Sequence, residues 1–306
     1  MTYERPDSVQ SWLLEPSEPS MRYLASRDLL RSLPSERSLS ALRAAIPRSG
    51  WAKKILSRQK ETTYWATKTT CYRPKFRSTI WQLQVLADLG LTSRDERISN
   101  AVDFWFELHC ALDGGYSPEV KGRHGHLCTT GNMVRSLIHF GYLKDERVQS
   151  AIQWLVDAQL DDGGWDCFGR KNGTIDGWEA MSAFSEIPEK ERSSDVREAT
   201  EKGADFYLER RLLHEGQLFR PWFKLRYPWH YHYDVLVGLD FMSALGYSGD
   251  PRMGEALAHL KSKRSPDGRW DLDSTNGNLR LETPHRPSKM ITFLALRVLR
   301  RASDSA

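Results

Sequence analysis

The stretch QLDDGGW, Gln159 to Trp165, recurs in altered form along most of the 306-residue chain. The other copies read QKETTYW (59–65), CALDGGY (110–116), LLHEGQL (212–218) and RSPDGRW (264–270). Their closing residues are 51, 49, 53 and 52 positions apart. A near-constant period of this kind is typical of repeat proteins, in which each unit packs against its neighbours. The sequence therefore predicts a chain of repeats about 50 residues long.

The better copies place an acid-glycine turn after an amphipathic helix, where glycine can supply the positive φ that ends the helix. Apolar residues at helical spacing predict one set of helices from about residue 20 and over 78–89, 130–140, 177–184, 233–245 and 289–301. A second set is predicted over 35–56, with a break near residues 47–50, and over 94–109, 145–159, 193–213 and 251–263. The pattern indicates an all-α protein.

The phrase Q-x-x-D-G-x-W resembles the QW motif of the terpenoid cyclase and protein prenyltransferase superfamily, and the copy at Gln159 matches every position. The resemblance covers roughly residues 20 to 300. It implies an α/α toroid of about six inner and five to six outer helices around a central cavity. It also implies that the Gln and Trp residues join neighbouring repeats and do not catalyse. We expect a polar lead-in over residues 1–19 and a single toroid domain over 20–303.

Length and composition agree with a single compact unit. Hydrophobic residues make up 40% of the chain, with eleven each of Trp, Tyr and Phe to line a cavity or fill gaps. The net charge of +4 is small and its charges are scattered, which excludes a nucleic-acid surface. We see no secretory signal and no membrane-spanning run, and the four cysteines suit a reducing compartment. We therefore expect a cytoplasmic protein.

The connections that lead from an outer helix to the next inner helix all cross the same end of such a toroid. Their side chains therefore converge on one mouth although they are far apart in sequence. The chemically distinctive residues lie in these connections: Cys71, Arg73, Lys75, His124, His126, Cys128, Asp166, Cys167, Asp176, His230, His232 and His285.

Thiol and imidazole groups at one mouth form a candidate zinc site, because these are the ligands that zinc prefers. A catalytic site uses about three protein ligands and leaves one position open. The candidate ligands are His126, Cys128, Cys167, His230 and His232, and the predicted cofactor is zinc. The alternative is that the cysteines are small buried residues and the histidines are polar loop groups.

The protein prenyltransferase branch sharpens the zinc prediction, because there a GG-aromatic turn precedes a D-x-C, and a later His completes the site. Here Gly114-Gly115-Tyr116 precedes His126-Leu127-Cys128, and His230 precedes Tyr233. The chain departs from the pattern: His replaces Asp before the Cys, and Asp176 stands in the next repeat without the Cys. The resemblance implies Asp176 and His230 as catalytic candidates.

The class II terpene cyclase branch protonates its substrate with a D-x-D-D motif, which this sequence lacks. LDD at 160–162 lies inside the QW phrase, and DLDS at 271–274 lacks the final acid. We therefore expect a protein that is not a cyclase of this type.

Substrate-binding candidates are aromatic and basic. The ring-dense segment PWFKLRYPWHYHY (221–233) contains Trp222, Trp229 and Tyr233, which with Trp178 could cradle a cation or an isoprenoid chain, or could simply pack a loop. Arg73 and Lys75 lie in a basic stretch that could hold a diphosphate, or could be a solvated charged face. The predicted partner is a small hydrophobic or diphosphate-bearing substrate.

Two other classes of function stay open at this point. Sugar-cleaving enzymes also use α/α barrels, with paired carboxylates and aromatic platforms. Asp166, Asp176, Glu179 and Asp234 would supply the carboxylates here. A non-catalytic helical ring that binds a peptide or a partner protein would need no catalytic group.

Overall fold

The protein is all-α over the residues that the computed structural model describes, 8–30, 32, 34–214, 219–276 and 279–304. The helices are α1 (Ser8–Leu13), α2 (Pro19–Asp28), α3 (Glu36–Ala45), α4 (Gly50–Leu56), α5 (Thr79–Asp88), α6 (Glu96–His109), α7 (Leu127–Phe140), α8 (Glu146–Asp157), α9 (Glu179–Ser185), α10 (Ser194–Glu209), α11 (Val235–Ala244), α12 (Gly254–Ser262) and α13 (Lys289–Asp304). Short 3-10 turns connect several of them, and these ranges contain no β-strand. None of the described helices has both the length and the apolar character needed to cross a bilayer.

Six helices form an inner ring, which confirms the predicted toroid. The ring runs α2, α5, α7, α9, α11, α13, and α13 returns to α2. Gly90, just after α5, packs on the Tyr23 ring of α2 and closes the remaining side. α5 is buried from Thr79 to Ala87, whereas α3, on the outside, has no buried residue. The inner helices α5 and α11 are accordingly apolar on nearly all faces, whereas the outer helices α6 and α8 are amphipathic.

The aromatic residue that closes a repeat joins the preceding outer helix to the following inner helix. The indole Nε1 atoms of Trp65, Trp165 and Trp270 donate to the carbonyl oxygens of Ile55, Leu155 and Leu260, at 2.9, 2.8 and 2.7 Å. The backbone N–H of Trp65 also donates to the hydroxyl of Thr79, in the first turn of α5, at 3.2 Å. The Ile55 and Leu260 carbonyls also accept a backbone N–H, from Arg58 and Lys263. The Leu155 carbonyl, in the last turn of α8, lacks a partner within the helix, so there the indole satisfies a group that burial would otherwise penalise.

Two glutamines of the repeated phrase bond to the next outer helix. The Gln159 amide donates to the Ala199 carbonyl of α10, and the Gln59 amide donates to the Arg97 carbonyl of α6, both at 2.8 Å. In the weak copy at 212–218, residues 215–218 lie outside the described residues. Before it, α10 ends at Glu209, earlier than the predicted residue 213.

The aromatic segment after α10 runs into the centre of the toroid. The Tyr227 hydroxyl reaches the far ends of the inner helices and donates to Asp88 at 3.3 Å. Trp229 is buried, and its ring meets that of Trp178 edge to face. These side chains leave beside them a cavity of only about 30 Å³, room for about one water molecule. Aromatic side chains therefore occupy part of the space that the resemblance assigned to a central cavity.

The end of the toroid opposite the mouth is sealed by ion pairs between inner helices. Arg135 of α7 pairs with Asp88 of α5, and Arg297 of α13 pairs with Asp240 of α11 at 2.6 Å and with Asp28 at 3.5 Å. The sequence signal that marks this layer is a charged residue within α5, α7, α11 and α13. Because such pairs are desolvated, removal of one partner would leave the other charge buried without a counter-ion, which is strongly destabilising.

Candidate functional site

Two loops at the mouth fold back onto the GG-aromatic turns, and this places the start of each following inner helix. The Asp113 carboxylate accepts hydrogen bonds from the backbone N–H groups of Gly115 and Gly125. The N–H of His126 then donates to the Tyr116 carbonyl at 2.9 Å. A Cβ on Gly125 would lie 2.9 Å from the Gly115 Cα atom and still closer to a tryptophan ring, so the approach requires glycine.

The loop after Trp165 is built in the same way and carries Cys167. Asp162 accepts hydrogen bonds from the N–H groups of Gly164 and Gly173. The N–H of Thr174 donates to the Trp165 carbonyl at 2.9 Å, as His126 does to Tyr116. Adjacent repeats therefore deliver His126 and Cys128 from one connection and Cys167 from the next.

His126, Cys128 and Cys167 come together as a cluster of metal-binding donors. One donor atom from each residue lies within 4.8 Å of the other two. The Cys128 Sγ atom is 3.3 Å from His126 Nδ1. The Cys167 Sγ atom lies within 4.8 Å of the donor atoms of both other residues. Ligands that bind zinc tetrahedrally at 2.0–2.3 Å are about 3 to 4 Å apart, so this spacing fits the ion with small adjustments.

The protonation states at the cluster follow from its surroundings. Burial, together with the charge of Lys75, lowers the pKa of His126, which keeps its imidazole in the neutral form that binds metals. The hydrogen bond from Cys128 and burial raise the pKa of the Cys167 thiol well above its ordinary range. A bound cation would release that proton, because the thiolate is the ligand.

The two later histidines do not join this donor group. His230 is buried, with Nδ1 3.0 Å from the Gln84 side-chain oxygen, and burial lowers its pKa to about 3. His230 Nε2 has no partner among the described residues. His232 lies against the Tyr231 ring, and burial followed by the Arg226 charge lowers its pKa to about 4. Both imidazoles are therefore neutral near pH 7.

An aromatic slot adjoins Cys128. Tyr72, Trp81 and Tyr231 line it together with Gln84, Cys128 and Asn132, and it is too narrow for a water molecule. The Lys75 ammonium lies over the Tyr231 ring, 4.8 Å from its centroid, and Arg73 is exposed beside it. The slot therefore opens onto a basic rim.

The remaining predicted site residues make structural contacts. The Trp222 indole donates to Asp176 Oδ1 at 3.0 Å, so a predicted substrate contact binds a predicted catalytic acid. Tyr233 donates to the Leu212 carbonyl at 2.8 Å. Asp234 caps α11 by accepting from the N–H groups of residues 236 and 237. Trp178 is fully buried, and its Nε1 has no hydrogen-bond partner in the described ranges.

Glu179 is a buried acid close to the donor cluster. Its side chain is 1% exposed, and neither carboxylate oxygen has a partner within the described residues. Burial, and then the proximity of Cys167, raises its pKa well above the ordinary value, which favours the neutral form of the acid. Sequence analysis named Glu179 only as a candidate carboxylate for sugar cleavage. The signal that marks this residue is the presence of an acid at the start of an apolar inner helix.

Comparison with known proteins identifies the architecture. No family model matches the sequence, and no curated protein matches it. Among solved structures, the chain is similar to the type II terpene cyclase MstE from Scytonema without ligand, with a TM-score of 0.51 and 14% identity over 97% of this chain and 88% of that one. A variant of that cyclase in complex with its substrate, geranylgeranyl dihydroxybenzoate, gives a TM-score of 0.50 and 14% identity over 94% of this chain and 87% of that one. Another variant, in complex with the product merosterolic acid A, gives a TM-score of 0.50 and 14% identity over 95% of this chain and 88% of that one. This similarity establishes the terpene cyclase-like fold, and the chemistry has to be argued from this chain's own residues.

Proposed function

We propose that the protein is a zinc-dependent, prenyltransferase-like enzyme that activates a nucleophile at the mouth of its toroid and joins it to a hydrophobic substrate. One observation carries the proposal: the donor atoms of His126, Cys128 and Cys167 lie within 4.8 Å of one another at that mouth. The set contains the two donor types that zinc prefers. It brings together residues from two different repeats.

The number of donors favours a catalytic site over a structural one. Structural zinc is held by four protein ligands, whereas catalytic zinc keeps a position for water or substrate. Within the described residues the donor group has three members. When bound there, zinc would lower the pKa of a coordinated water, alcohol or thiol so that it reacts near neutral pH.

The chain's own residues would prepare the ligands and exclude water. Neutral His126 offers a lone pair, and the first backbone N–H groups of α7 favour negative charge on Cys128. The buried acid of Glu179, near Cys167, would hold a proton on the protein side of the cluster.

The surroundings of the cluster support a substrate with a hydrophobic tail and an anionic head. Tyr72, Trp81 and Tyr231 offer ring surfaces beside Cys128, and Arg73 and Lys75 offer exposed cations at the rim. The substrate of the similar cyclase, geranylgeranyl dihydroxybenzoate, supports an isoprenoid tail. Because aromatic side chains fill the toroid centre, such a tail would enter by widening the slot.

Two local observations support a reaction other than protonation by a D-x-D-D acid. Asp162 is occupied by two glycine N–H groups at its turn. Asp273 accepts from the Leu225 backbone N–H and from Lys263, both at 2.8 Å. Both candidate acids therefore serve as acceptors that hold loops together.

Elemental analysis of protein purified without a metal-chelating tag tests the proposal. We expect about one zinc per chain in the wild type, from the single donor group, and its loss in Cys128→Ser and Cys167→Ser. Cys110→Ser is the matched control, because Cys110 is a part-buried free thiol outside the donor group, and this variant should keep the metal. A metal-free wild type, or full occupancy in both site variants, would overturn the proposal.

A further inference from the structure

Two of the four cysteines form a close pair of thiols. All four are free. The Cys128 and Cys167 sulfur atoms lie within 4.8 Å of each other. Both residues are partly exposed, whereas Cys71 is fully buried.

The surroundings of Cys128 suit it to react first. Its Sγ atom is part-exposed and lies 3.3 Å from His126 Nδ1, at the mouth of the toroid. The residue also lies in the first turn of α7, a helix of 14 residues, where the backbone favours a negative charge. Thiolate character and solvent access together determine which cysteines are oxidised.

We infer that Cys128 and Cys167 form a redox modification site, at which a hydroperoxide converts the dithiol to a disulfide. The Cys128 thiolate attacks the peroxide, the O–O bond breaks, and Cys128 becomes a sulfenic acid while the peroxide leaves as hydroxide or alkoxide. The Cys167 thiol then attacks that sulfur, an S–S bond replaces the S–O bond, and the sulfenic oxygen leaves as water. The two thiols are oxidised and the peroxide is reduced.

The disulfide has a consequence for the metal that rests on the proposed function. Sulfur in a disulfide is no longer an anionic ligand, so the bond would leave His126 as the one remaining donor of the group. Zinc occupancy and the disulfide would therefore exclude each other. Oxidation would empty the site, and bound metal would protect the thiols.

The test uses full-length protein, freed of metal with a chelator and then treated with hydrogen peroxide. We expect the intact mass to fall by two hydrogen atoms, and thiols titrated in denaturant to fall from four per chain to Cys71 and Cys110 alone. A tryptic digest should contain one cross-linked species, between the peptides of Cys128 and Cys167. In Cys167→Ser, Cys128 should stop at the sulfenic acid and be trapped by dimedone. Cys110→Ser should form the disulfide as the wild type does. Four remaining thiols, or a bond to another cysteine or another chain, would overturn the inference.

A second arm with one equivalent of zinc separates this inference from the proposed function. Slower loss of the two thiols in the presence of zinc supports both ideas. If the disulfide forms but the protein binds no zinc, the redox site stands and the zinc enzyme falls. If zinc binds but peroxide yields no disulfide, the redox site falls and the zinc enzyme stands.

Discussion

The indole Nε1 of Trp165 donates a 2.8 Å hydrogen bond to the carbonyl oxygen of Leu155, in the last turn of α8, and the ring is fully buried. We expect Trp165→Phe to lower the free energy of unfolding by about 1 to 3 kcal/mol beyond the loss of ring volume, because that carbonyl would be buried without a partner. Trp178→Phe is the matched control, since Trp178 is equally buried but its Nε1 has no partner in the described chain. Urea unfolding measures both variants, and equal losses would contradict the role given to the Trp165 hydrogen bond.

Two helical glycines should respond to alanine in opposite directions. A Cβ on Gly131 of α7 would lie 2.6 Å from the Glu179 backbone, where α7 and α9 pack together. Gly131→Ala should therefore destabilise the protein and separate the two helices that flank the donor cluster, which lowers zinc content as well. Gly254, at the start of α12, has nothing within 4 Å of such an atom, so Gly254→Ala should stabilise by up to about 1 kcal/mol. Thermal unfolding with metal analysis checks both, and unchanged stability in Gly131→Ala would contradict the tight crossing.

His230 predicts a loss of stability in acid. Burial, and then the proximity of His232, lowers its pKa to about 3, against about 6.5 in an unfolded chain. Below pH 6.5 the unfolded state therefore binds a proton that the folded state excludes. For this group alone, the free energy of unfolding should fall by about 1.4 kcal/mol per pH unit between about pH 6.5 and 3, and stay constant above that range.

The comparison of two histidine variants isolates this contribution. His230→Asn can still donate to Gln84 but takes up no proton, so its stability profile should be flatter in that pH range. His124→Asn changes an exposed histidine and should follow the wild type. Denaturant titrations at several pH values decide the matter, and parallel profiles for His230→Asn and wild type would show that His230 is not the source.

Removal of the central indole should reopen the interior of the toroid. Trp229→Ala deletes a buried ring, which we expect to cost about 3 to 5 kcal/mol and to leave a cavity. An empty apolar cavity binds small apolar molecules, so this variant should bind farnesol more tightly than the wild type. Trp12→Ala, on the peripheral helix α1, changes the same residue type away from the centre. Calorimetry that shows equal farnesol binding in the two variants would mean that Trp229 does not fill the central space.

Charge reversal at the rim tests the anionic head of the proposed substrate. Arg73→Glu with Lys75→Glu should abolish binding of an isoprenoid diphosphate and leave thermal stability unchanged, because both side chains are exposed. The same change at exposed Arg37 and Lys53, on α3 and α4, controls for net charge. Binding that survives at the rim variant would remove the diphosphate from the proposed function.

The repeat in the sequence predicted the architecture well, because the period of about 50 residues is also the length of one pair of inner and outer helices. The helix predicted over 78–89 is α5, Thr79–Asp88, and that over 289–301 is α13, Lys289–Asp304. The inner helix predicted from residue 130 begins three residues earlier, at Leu127, and His126 is its N-cap residue. Period and apolar pattern carry this information locally.

The donor cluster could be predicted only to the level of the mouth. Sequence analysis named five candidate zinc ligands at that end, but which of them meet depends on how the loops fold after the glycine turns. Cys167 is carried to Cys128 by the loop that Asp162 holds. His230 turns inward and bonds to Gln84, 146 positions away. Such long-range contacts leave no trace in spacing alone.

The direction of the aromatic segment was the least predictable feature. Rings at 222, 227 and 229 are equally compatible with a binding surface and with a filled interior, since both remove apolar surface from water. What decides between them is the reach of Tyr227 to Asp88, between residues 139 positions apart.

The contact of α13 with α2 bears on how the protein is made. Arg297 and Asp28, which help to join these helices, are 269 positions apart in sequence. On the ribosome, the earlier repeats can stack in order as they emerge, but α2 must wait for α13 before one whole side of it is covered. The first repeats would be the natural clients of chaperones during that interval, and a nascent chain stalled before residue 289 would remain an open arc.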